Sequence, residues 1–365
     1  MAQENPQPLS RRRFLGGGLA LGAFATPPAF AQLDEFGDAA LRGAGSTLIQ
    51  PLMEAWVRQY RGDPHQVLRP NASGGGLDDR ISTDSLDYEP VGSLAGIQRI
   101  RAGFVDFAAS EMPLRDSYLR THGLLQFPWV IGGVAVVFNV SRNRTLSLDA
   151  KTLAAIYLGQ ITRWSDPAIA RQNPGAALSD APIVVIHRSD GSGSTFTFSH
   201  YLSRNDTSWK QRLGSDLTLK WPHGRGVNGS SEMAAAVKAT PNSLGYVSVT
   251  QAKSAGLALV SLRNAAGRYT LPETSNLASA VAATGIEGDE FERLPIDAAG
   301  EQSYPLVATV FGFMRQPLRT ARQRRTGDFV RWTLTRGSAL ANQLGYLSLP
   351  DHLSKATLER FTAPS

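Results

Sequence analysis

The sequence predicts an α/β protein of two domains. Stretches typical of buried strands alternate with stretches whose apolar residues recur at helical spacing. This alternation favours parallel or mixed sheets that are covered by helices on both faces. The chain has 365 residues, more than the roughly 250 to 300 at which a single hydrophobic core usually stops growing. We therefore expect two domains.

The first 31 residues have the pattern of a twin-arginine export signal. Three arginines at 11–13 precede an uncharged stretch rich in glycine and alanine, which ends at small residues around Ala31. A transmembrane anchor is the alternative, but the apolar run is short and contains several glycines together with Pro27 and Pro28. We expect cleavage after Ala31 and export to the periplasm. Removing these 31 residues from the 365 leaves a mature chain of 334.

Composition narrows the class of protein further. The formal charge is +6, and the first 31 residues carry three arginines and one glutamate, so the mature chain has a charge of +4. A mildly basic protein suits small anionic ligands, whereas basic residues this widely spread do not predict nucleic-acid binding. The absence of cysteine excludes disulfides, thiolate metal sites, a cysteine nucleophile and a lipid-anchored amino-terminal cysteine. No second stretch approaches the ~20 apolar residues of a spanning helix, so we expect a soluble mature protein.

The mature region can be divided into elements by periodicity. Strands are predicted at 67–71, 105–110, 130–140, 181–188, 243–249, 257–262 and 304–314. Helices are predicted at 46–60, 97–102, 149–160, 194–204, 230–239 and 324–345. Between the first helix and the next strands, residues 61–87 are rich in Gly, Pro, Ser and Asp, which indicates a long surface loop.

Three turns rich in glycine and hydroxyl residues precede predicted helices. They lie at 43–47 (GAGST), 91–96 (VGSLAG) and 190–194 (DGSGS). Glycine lets a ligand approach the backbone closely, and a Ser or Thr at the expected N-cap adds a hydroxyl beside the positive end of the helix. One such turn is ordinary capping. Three in one chain indicate an anion-binding site.

Arg188 supplies a positive charge next to the third of these turns. Its planar guanidinium suits bidentate pairing with an oxyanion. Asp190 lies two residues on, on the same side of an extended strand, where it can orient the guanidinium. The alternative is a purely structural ion pair. The hydroxyls that follow Asp190 favour the binding role.

The motifs of several enzyme classes are missing from the sequence. No GxSxG surrounds Ser192, the six histidines lack metal-site spacing, and no P-loop occurs. His187 is interpreted as a strand residue and not as a base. Residues 224–229 match GxGxxG, but they follow Trp221-Pro222 and not a strand that leads into a helix, so we interpret the match as chance. We expect neither an enzyme nor a cofactor.

Taken together, the chain resembles the phosphate-binding proteins of Pst ABC transporters, which are type II solute-binding proteins. The likeness covers nearly all of the mature region and rests on collinear motifs, located at 43–47, 88–97, 105–114, 123–139, 153–174, 187–195, 220–224, 244–247 and 344–350. The resemblance implies a two-lobe periplasmic-binding-protein fold. The lobes would be 32–131 plus 308–365 and 132–307, joined by a two-strand hinge near Ile131 and 305–309, with the ligand cleft between them.

The resemblance also implies which residues hold the ligand. The expected phosphate-binding residues are Thr47, Leu48, Ser93, Glu111, Arg188, Ser192, Gly193 and Ser194. Asp190 would steady the arginine, and Leu48, where the family often has Phe, would offer a backbone amide. Glu111 departs from the pattern because it stands in place of an aspartate that accepts the ligand's proton.

The implied function is that of a monomeric receptor. It would bind inorganic phosphate and deliver it to the membrane permease subunits of an ABC transporter. Two alternatives stay open at this point: a receptor or sensor of the same fold for another tetrahedral oxyanion, and a secreted phosphatase. The second lacks an evident nucleophile–base pair or metal cluster.

Overall fold

The strands that organise the protein form one mixed sheet. The computed structural model describes residues 41–62, 86–141, 145–285 and 293–361, and eleven strands lie within these ranges. The strands are β1 (Leu41–Gly45), β2 (Leu86–Glu89), β3 (Phe107–Ser110), β4 (Leu124–Asn139), β5 (Thr145–Leu148), β6 (Val184–Arg188), β7 (Arg225–Val227), β8 (Ser243–Ser248), β9 (Ala258–Arg263), β10 (Tyr269–Thr270) and β11 (Val307–Arg315).

Two groups of strands meet on β4. The main order is β2-β1-β3-β11-β4-β8-β6-β7, and β9 pairs with β4, β5 and β10. The first half of β4 pairs with β11, from Gly133 opposite Val307 to Leu124 opposite Arg315, and the second half pairs with β8. We call β1, β2, β3, β11 and the first half of β4 the first strand group. The second half of β4 and β5 to β10 form the second strand group.

Helices follow most of the strands, which confirms the predicted α/β class. Their bounds are α1 (Gln50–Gly62), α2 (Ser93–Ala102), α3 (Asp116–His122), α4 (Ala150–Tyr157), α5 (Pro167–Gln172), α6 (Gly193–Asn205), α7 (Thr207–Arg212), α8 (Gly229–Ala239), α9 (Val249–Ser254), α10 (Thr274–Thr284), α11 (Ala321–Leu334), α12 (Ser338–Gln343) and α13 (Asp351–Arg360). None of the helices described is long and apolar enough to cross a membrane.

Aromatic side chains fill the core on both sides of β4. In the first strand group, Trp56 of α1 stacks on Trp129 of β4 with ring centroids 5.7 Å apart, and Phe107 of β3 packs edge-on against Trp129. In the second group, Phe198 of α6 stacks on Tyr246 of β8 at 4.6 Å. Buried aromatic pairs of this kind contribute beyond the area that they bury. These aromatic pairs anchor α1 and α6, the helices whose amino-terminal ends border the candidate site.

Several element boundaries differ from the sequence prediction. α1 begins at Gln50 and not at Ser46, because Pro51 has no N–H to donate and fits only the first turn of a helix. The helix predicted at 324–345 is two helices, α11 and α12, which are separated at Gly337. The indole of Trp56 donates to the Gly337 carbonyl at 2.8 Å, and a side chain at 337 would collide with Trp56 and Trp332.

Other predictions fall partly or wholly outside the described residues. The export signal and the strand predicted at 67–71 lie outside them, as does most of the loop predicted at 61–87. At the end of that predicted loop the chain forms β2, which pairs in parallel with β1. The described residues make one compact unit. The residue limits of the two lobes therefore stay a prediction.

Candidate functional site

The predicted site residues lie where parallel strands end. β1 pairs in parallel with both β2 and β3, so the segments that follow these three strands leave the sheet at one edge. Those segments carry Thr47, Ser93 and Glu111. β6 and β7 are also parallel, and Arg188 is the last residue of β6. Ligands of open α/β sheets bind outside the carboxyl ends of strands, which is where these residues are found.

Glu111 is the centre of one cluster of polar groups. It is 2% exposed, the Ser46 hydroxyl donates to its Oε1, and the Ser93 hydroxyl donates to its Oε2 at 2.6 Å. The amide of Gly193 in turn donates to Ser93 Oγ at 3.1 Å. Ser93 follows β2 of the first strand group and Gly193 follows β6 of the second, so this cluster joins the two groups.

Burial and hydrogen bonding act on Glu111 in opposite directions. Burial raises the pKa of the carboxyl above its ordinary value of 4.5 by removing water from the charged form. Hydrogen bonds from Ser46 and Ser93 and the nearby charge of Arg188 pull the pKa down again, but burial is the largest effect. The site therefore holds a buried carboxyl that takes up a proton more readily than an exposed one.

Two glycines allow the strand groups to approach this closely. A Cβ atom on Gly193 would lie 1.4 Å from Glu111 Oε2 and 2.7 Å from Ser93 Oγ. A Cβ on Gly191 would lie 2.2 Å from the Cβ of Leu94, whose amide donates to the Gly191 carbonyl at 3.1 Å. A larger residue at 193 would displace the Glu111 carboxyl or separate the two groups, and one at 191 would press on Leu94 at its Cβ. The glycines of the DGSGS turn are thus explained by close contact with the opposite group.

Arg188 and Asp190 make the pair that the sequence predicts. Arg188 Nε donates to Asp190 Oδ1 at 2.5 Å, and Nη2 donates to Oδ2. The side chain of Arg188 is 1% exposed and that of Asp190 is 17% exposed. The amide of Arg188 donates to the Tyr246 hydroxyl at 3.2 Å, and burial raises the pKa of Tyr246 to about 12, so this phenol stays neutral. Tyr246 thus fixes the backbone of Arg188, and the Asp190 carboxylate fixes its guanidinium.

Thr47 and Leu48 follow β1 and are both buried. Thr47 Oγ1 lies 2.8 Å from Ser230 Oγ, and Ser230 Oγ accepts from Arg188 Nη1 at 3.4 Å. The amide of Leu48, predicted to face the ligand, donates to Ser46 Oγ at 3.1 Å. Thr47 is therefore linked to Arg188 through a residue that was not predicted.

The hydroxyl residues of the three glycine turns are placed differently relative to the helix starts. Ser192 is the N-cap of α6 and accepts from the Thr195 amide at 3.2 Å. Ser93 is instead the first residue of α2, and its hydroxyl serves Glu111; the N-cap is Gly92, with φ 90°. Thr47 precedes α1 by more than a capping position. Ser194 is buried in the first turn of α6.

Sequence reasoning missed Ser46 and Ser230, and a signal was present for each. Ser46 lies in the GAGST turn next to the predicted Thr47. Ser230 follows the GxGxxG match at 224–229. The sequence analysis expected no strand leading into a helix there, but β7 (Arg225–Val227) leads directly into α8 (Gly229–Ala239). The match is therefore a fourth strand–glycine–serine–helix junction, and its short strand escaped the periodicity analysis.

His187 lies in β6, in agreement with its interpretation as a strand residue. The His187 ring stacks on Trp221 with centroids 4.9 Å apart, and burial lowers its pKa. A cavity of about 290 Å³ is lined by His187, Arg188, Asp190, Trp221 and other residues of this region. Among the described residues, no group of three or more His, Asp or Glu side chains is arranged to hold a metal ion.

Comparison with known sequences identifies the family of this chain. A family model described as a PBP superfamily domain matches residues 31–336. The phosphate-binding protein PstS of Xylella fastidiosa strain 9a5c is 37% identical over 338 residues, covering 92% of this chain and 87% of the relative. The phosphate-binding protein PstS of Pasteurella multocida is 34% identical over 317 residues, covering 86% and 87%.

Solved structures show the same fold. A putative phosphate ABC transporter substrate-binding protein from Clostridium perfringens, determined with bound phosphate, has a TM-score of 0.60 at 18% identity and covers 85% of this chain and 100% of that one. A high-affinity periplasmic phosphate-binding protein bound with phosphate has a TM-score of 0.63 at 20% identity, with coverages of 87% and 92%. Since a family model and relatives above 30% identity both extend over most of its length, the chain belongs to the PstS phosphate-binding proteins of the PBP superfamily.

Proposed function

We propose that this protein is a periplasmic receptor for inorganic phosphate in ABC-type uptake. One observation carries the proposal: a buried carboxyl, a buried arginine, hydroxyls and a backbone amide meet where the two strand groups touch. Phosphate near neutral pH has oxygens that accept from Arg188 and a P–OH that can donate to Glu111. The names of the relatives, which are phosphate-binding proteins, support the same ligand.

The proposal assigns the ligand contacts as the sequence analysis expects them. Arg188, steadied by Asp190, would supply charged donors, and the hydroxyls and amides around Thr47, Ser93 and Gly193 would supply neutral ones. The other assigned residues are Leu48, Glu111, Ser192 and Ser194. The Leu48 amide would exchange its bond to Ser46 Oγ for one to the anion. Glu111 would accept from the ligand, so that an anion without a proton is rejected.

Calorimetry on protein that has been stripped of ligand tests this assignment. Phosphate and arsenate should bind, because both carry a proton near neutral pH, and sulfate should bind far more weakly. Sulfate binding within tenfold of phosphate would favour a receptor for another oxyanion. Release of phosphate from a chromogenic ester by the purified protein would instead favour a phosphatase.

Binding should close the protein, since the assigned contacts divide between the two strand groups. The lobes would be residues 32–131 plus 308–365 and residues 132–307, with β4 and β11 as the two hinge strands. Small-angle scattering should give a smaller radius of gyration with saturating phosphate than without it. An unchanged radius would contradict the hinge.

The cellular setting follows from the amino-terminal pattern and the family. The receptor would be exported by the twin-arginine pathway, cleaved after Ala31, and would act as a monomer that delivers phosphate to membrane permease subunits. It has no proposed role with nucleic acid, and it is proposed to be a binding protein and not an enzyme. A reporter fused to the first 31 residues should be exported, and replacing Arg11 and Arg12 by Lys should stop export; continued export would refute the pathway.

A further inference from the structure

A buried serine at the start of α8 is joined to two of the assigned phosphate contacts. Ser230 is 1% exposed, and its Oγ lies 2.8 Å from Thr47 Oγ1 and 3.4 Å from Arg188 Nη1. We infer that Ser230 is a positioning residue of the phosphate site, which turns the Thr47 hydroxyl so that its proton points at the bound anion. The inference rests on the proposed function.

The direction of the hydrogen bonds follows from how many protons each group has. The Arg188 guanidinium has donors only, so Ser230 Oγ must be the acceptor of that contact. Thr47 and Ser230 each have one hydroxyl proton, and in the empty site either can donate to the other. The ionised oxygens of the anion accept hydrogen bonds and cannot donate to Thr47, and its P–OH is assigned to Glu111. When an anion lies beside Thr47, the favourable order is therefore Arg188 to Ser230, Ser230 to Thr47, and Thr47 to the anion.

Such a chain strengthens the bond at its end. Each donor in a buried series is polarised by the group that donates to it, and here the series begins at a full positive charge. The effect of Arg188 would thus reach an anion oxygen that the guanidinium does not touch. Without Ser230, the Thr47 hydroxyl would lose the donor that fixes its orientation.

The backbone around Ser230 fixes its place relative to Arg188. The Gly229 amide donates to Asp190 Oδ1 at 3.2 Å, and Asp190 is the carboxylate that holds the guanidinium. Gly229 has φ 68°, in the left-handed region that glycine tolerates, and the Asn228 side chain makes no capping hydrogen bond. The start of α8 is thus hydrogen-bonded to the Arg188–Asp190 ion pair, which is also part of the proposed ligand site.

The test compares phosphate affinity in Ser230→Ala and in Ser231→Ala, whose side chain is exposed in the same turn. Ser230→Ala should weaken binding roughly tenfold, in line with the loss of one hydrogen bond that is linked to a charge. Ser231→Ala should match the wild type. Ser230→Cys keeps nearly the same volume but is a weak donor and acceptor, so it should weaken binding about as much. Melting temperatures of the ligand-free variants monitor folding.

A double-mutant cycle separates positioning from a purely structural role. Because Ser230 acts through Thr47, Thr47→Val combined with Ser230→Ala should bind phosphate about as well as Thr47→Val alone. Losses that multiply, or a Ser230→Ala protein within twofold of the wild type, would overturn the inference while leaving the phosphate receptor intact. A wild-type protein without phosphate affinity would overturn the proposed function and this inference together.

Discussion

A methyl group on Gly193 should block closure around the ligand without harming the fold. Gly193 is the first residue of α6, and its φ lies outside the left-handed region, so alanine suits the backbone there. Alanine is also the better helix former by about 1 kcal/mol. The ligand-free Gly193→Ala protein should therefore melt at or above the wild-type temperature if the two strand groups can separate.

The size of the binding defect follows from the contacts at this position. The new Cβ would lie 1.4 Å from Glu111 Oε2, far inside any real contact, and Glu111 cannot turn away without losing its bonds from Ser46 and Ser93. If Glu111 keeps these bonds, the strand groups stay apart and the ligand loses its donors from one of them. Two hydrogen bonds to a charged ligand are worth about 3 to 6 kcal/mol, or roughly 10² to 10⁴ in affinity.

Isothermal titration with phosphate, together with thermal melts of the ligand-free proteins, measures both expectations. Gly62→Ala is the matched control, because it adds a methyl group at the end of α1, where no atom of the described residues outside that helix end lies within 4 Å of the new Cβ. Phosphate affinity of Gly193→Ala within threefold of the wild type would show that the contact between Gly193 and Glu111 is not part of the bound state. A large fall in melting temperature would show that the two strand groups do not separate without ligand.

Three further predictions concern the charged groups. Arg188→Ala should weaken phosphate binding by about 2 to 5 kcal/mol, which is at least ~30-fold in affinity. The control Arg225→Ala, which changes an exposed residue of β7, should leave the affinity unchanged. If titration gives the two variants equal affinities, the site lies elsewhere. Sulfate affinity should rise as the pH falls through the raised pKa of Glu111. The reason is that the protonated carboxyl can donate a hydrogen bond to sulfate, whereas the ionised carboxylate can only accept one. Glu111→Gln should remove this pH dependence. Phosphate affinity should change little between roughly 0.05 and 0.5 M salt; a steep decline would indicate a site governed by exposed charges.

The fold class could be predicted because buried strands and helices alternate along the chain with clear periodicity. The exact ends of elements depend on single residues and on distant contacts. Pro51 moves the start of α1, and the contact between Trp56 and Gly337 divides the last long helix. The first effect is local and could have been recognised in the sequence, whereas the second depends on residues that are 281 positions apart.

The candidate site shows the same division between local and distant information. Arg188 and Asp190 lie on one side of one strand, so their pairing could be predicted from spacing alone. The contact of Ser93 and Gly193 with Glu111 needs two turns that are 100 residues apart to meet. Ser46 could not be distinguished from its neighbour Thr47 as the donor to Glu111, because both are hydroxyl residues in one turn.

The charges of the site limit the ways in which it could hold an anion. Arg188 is already paired with Asp190, and Glu111, when ionised, leaves the site with one net negative charge. Attraction between net charges therefore cannot bind phosphate there. Besides the charge-assisted bonds proposed for Arg188, the favourable contribution would come from local dipoles, namely the hydroxyls and amides at the starts of α2, α6 and α8. Because dipoles in a buried site act over short distances, binding depends on their placement, and it is the glycine turns that permit this placement.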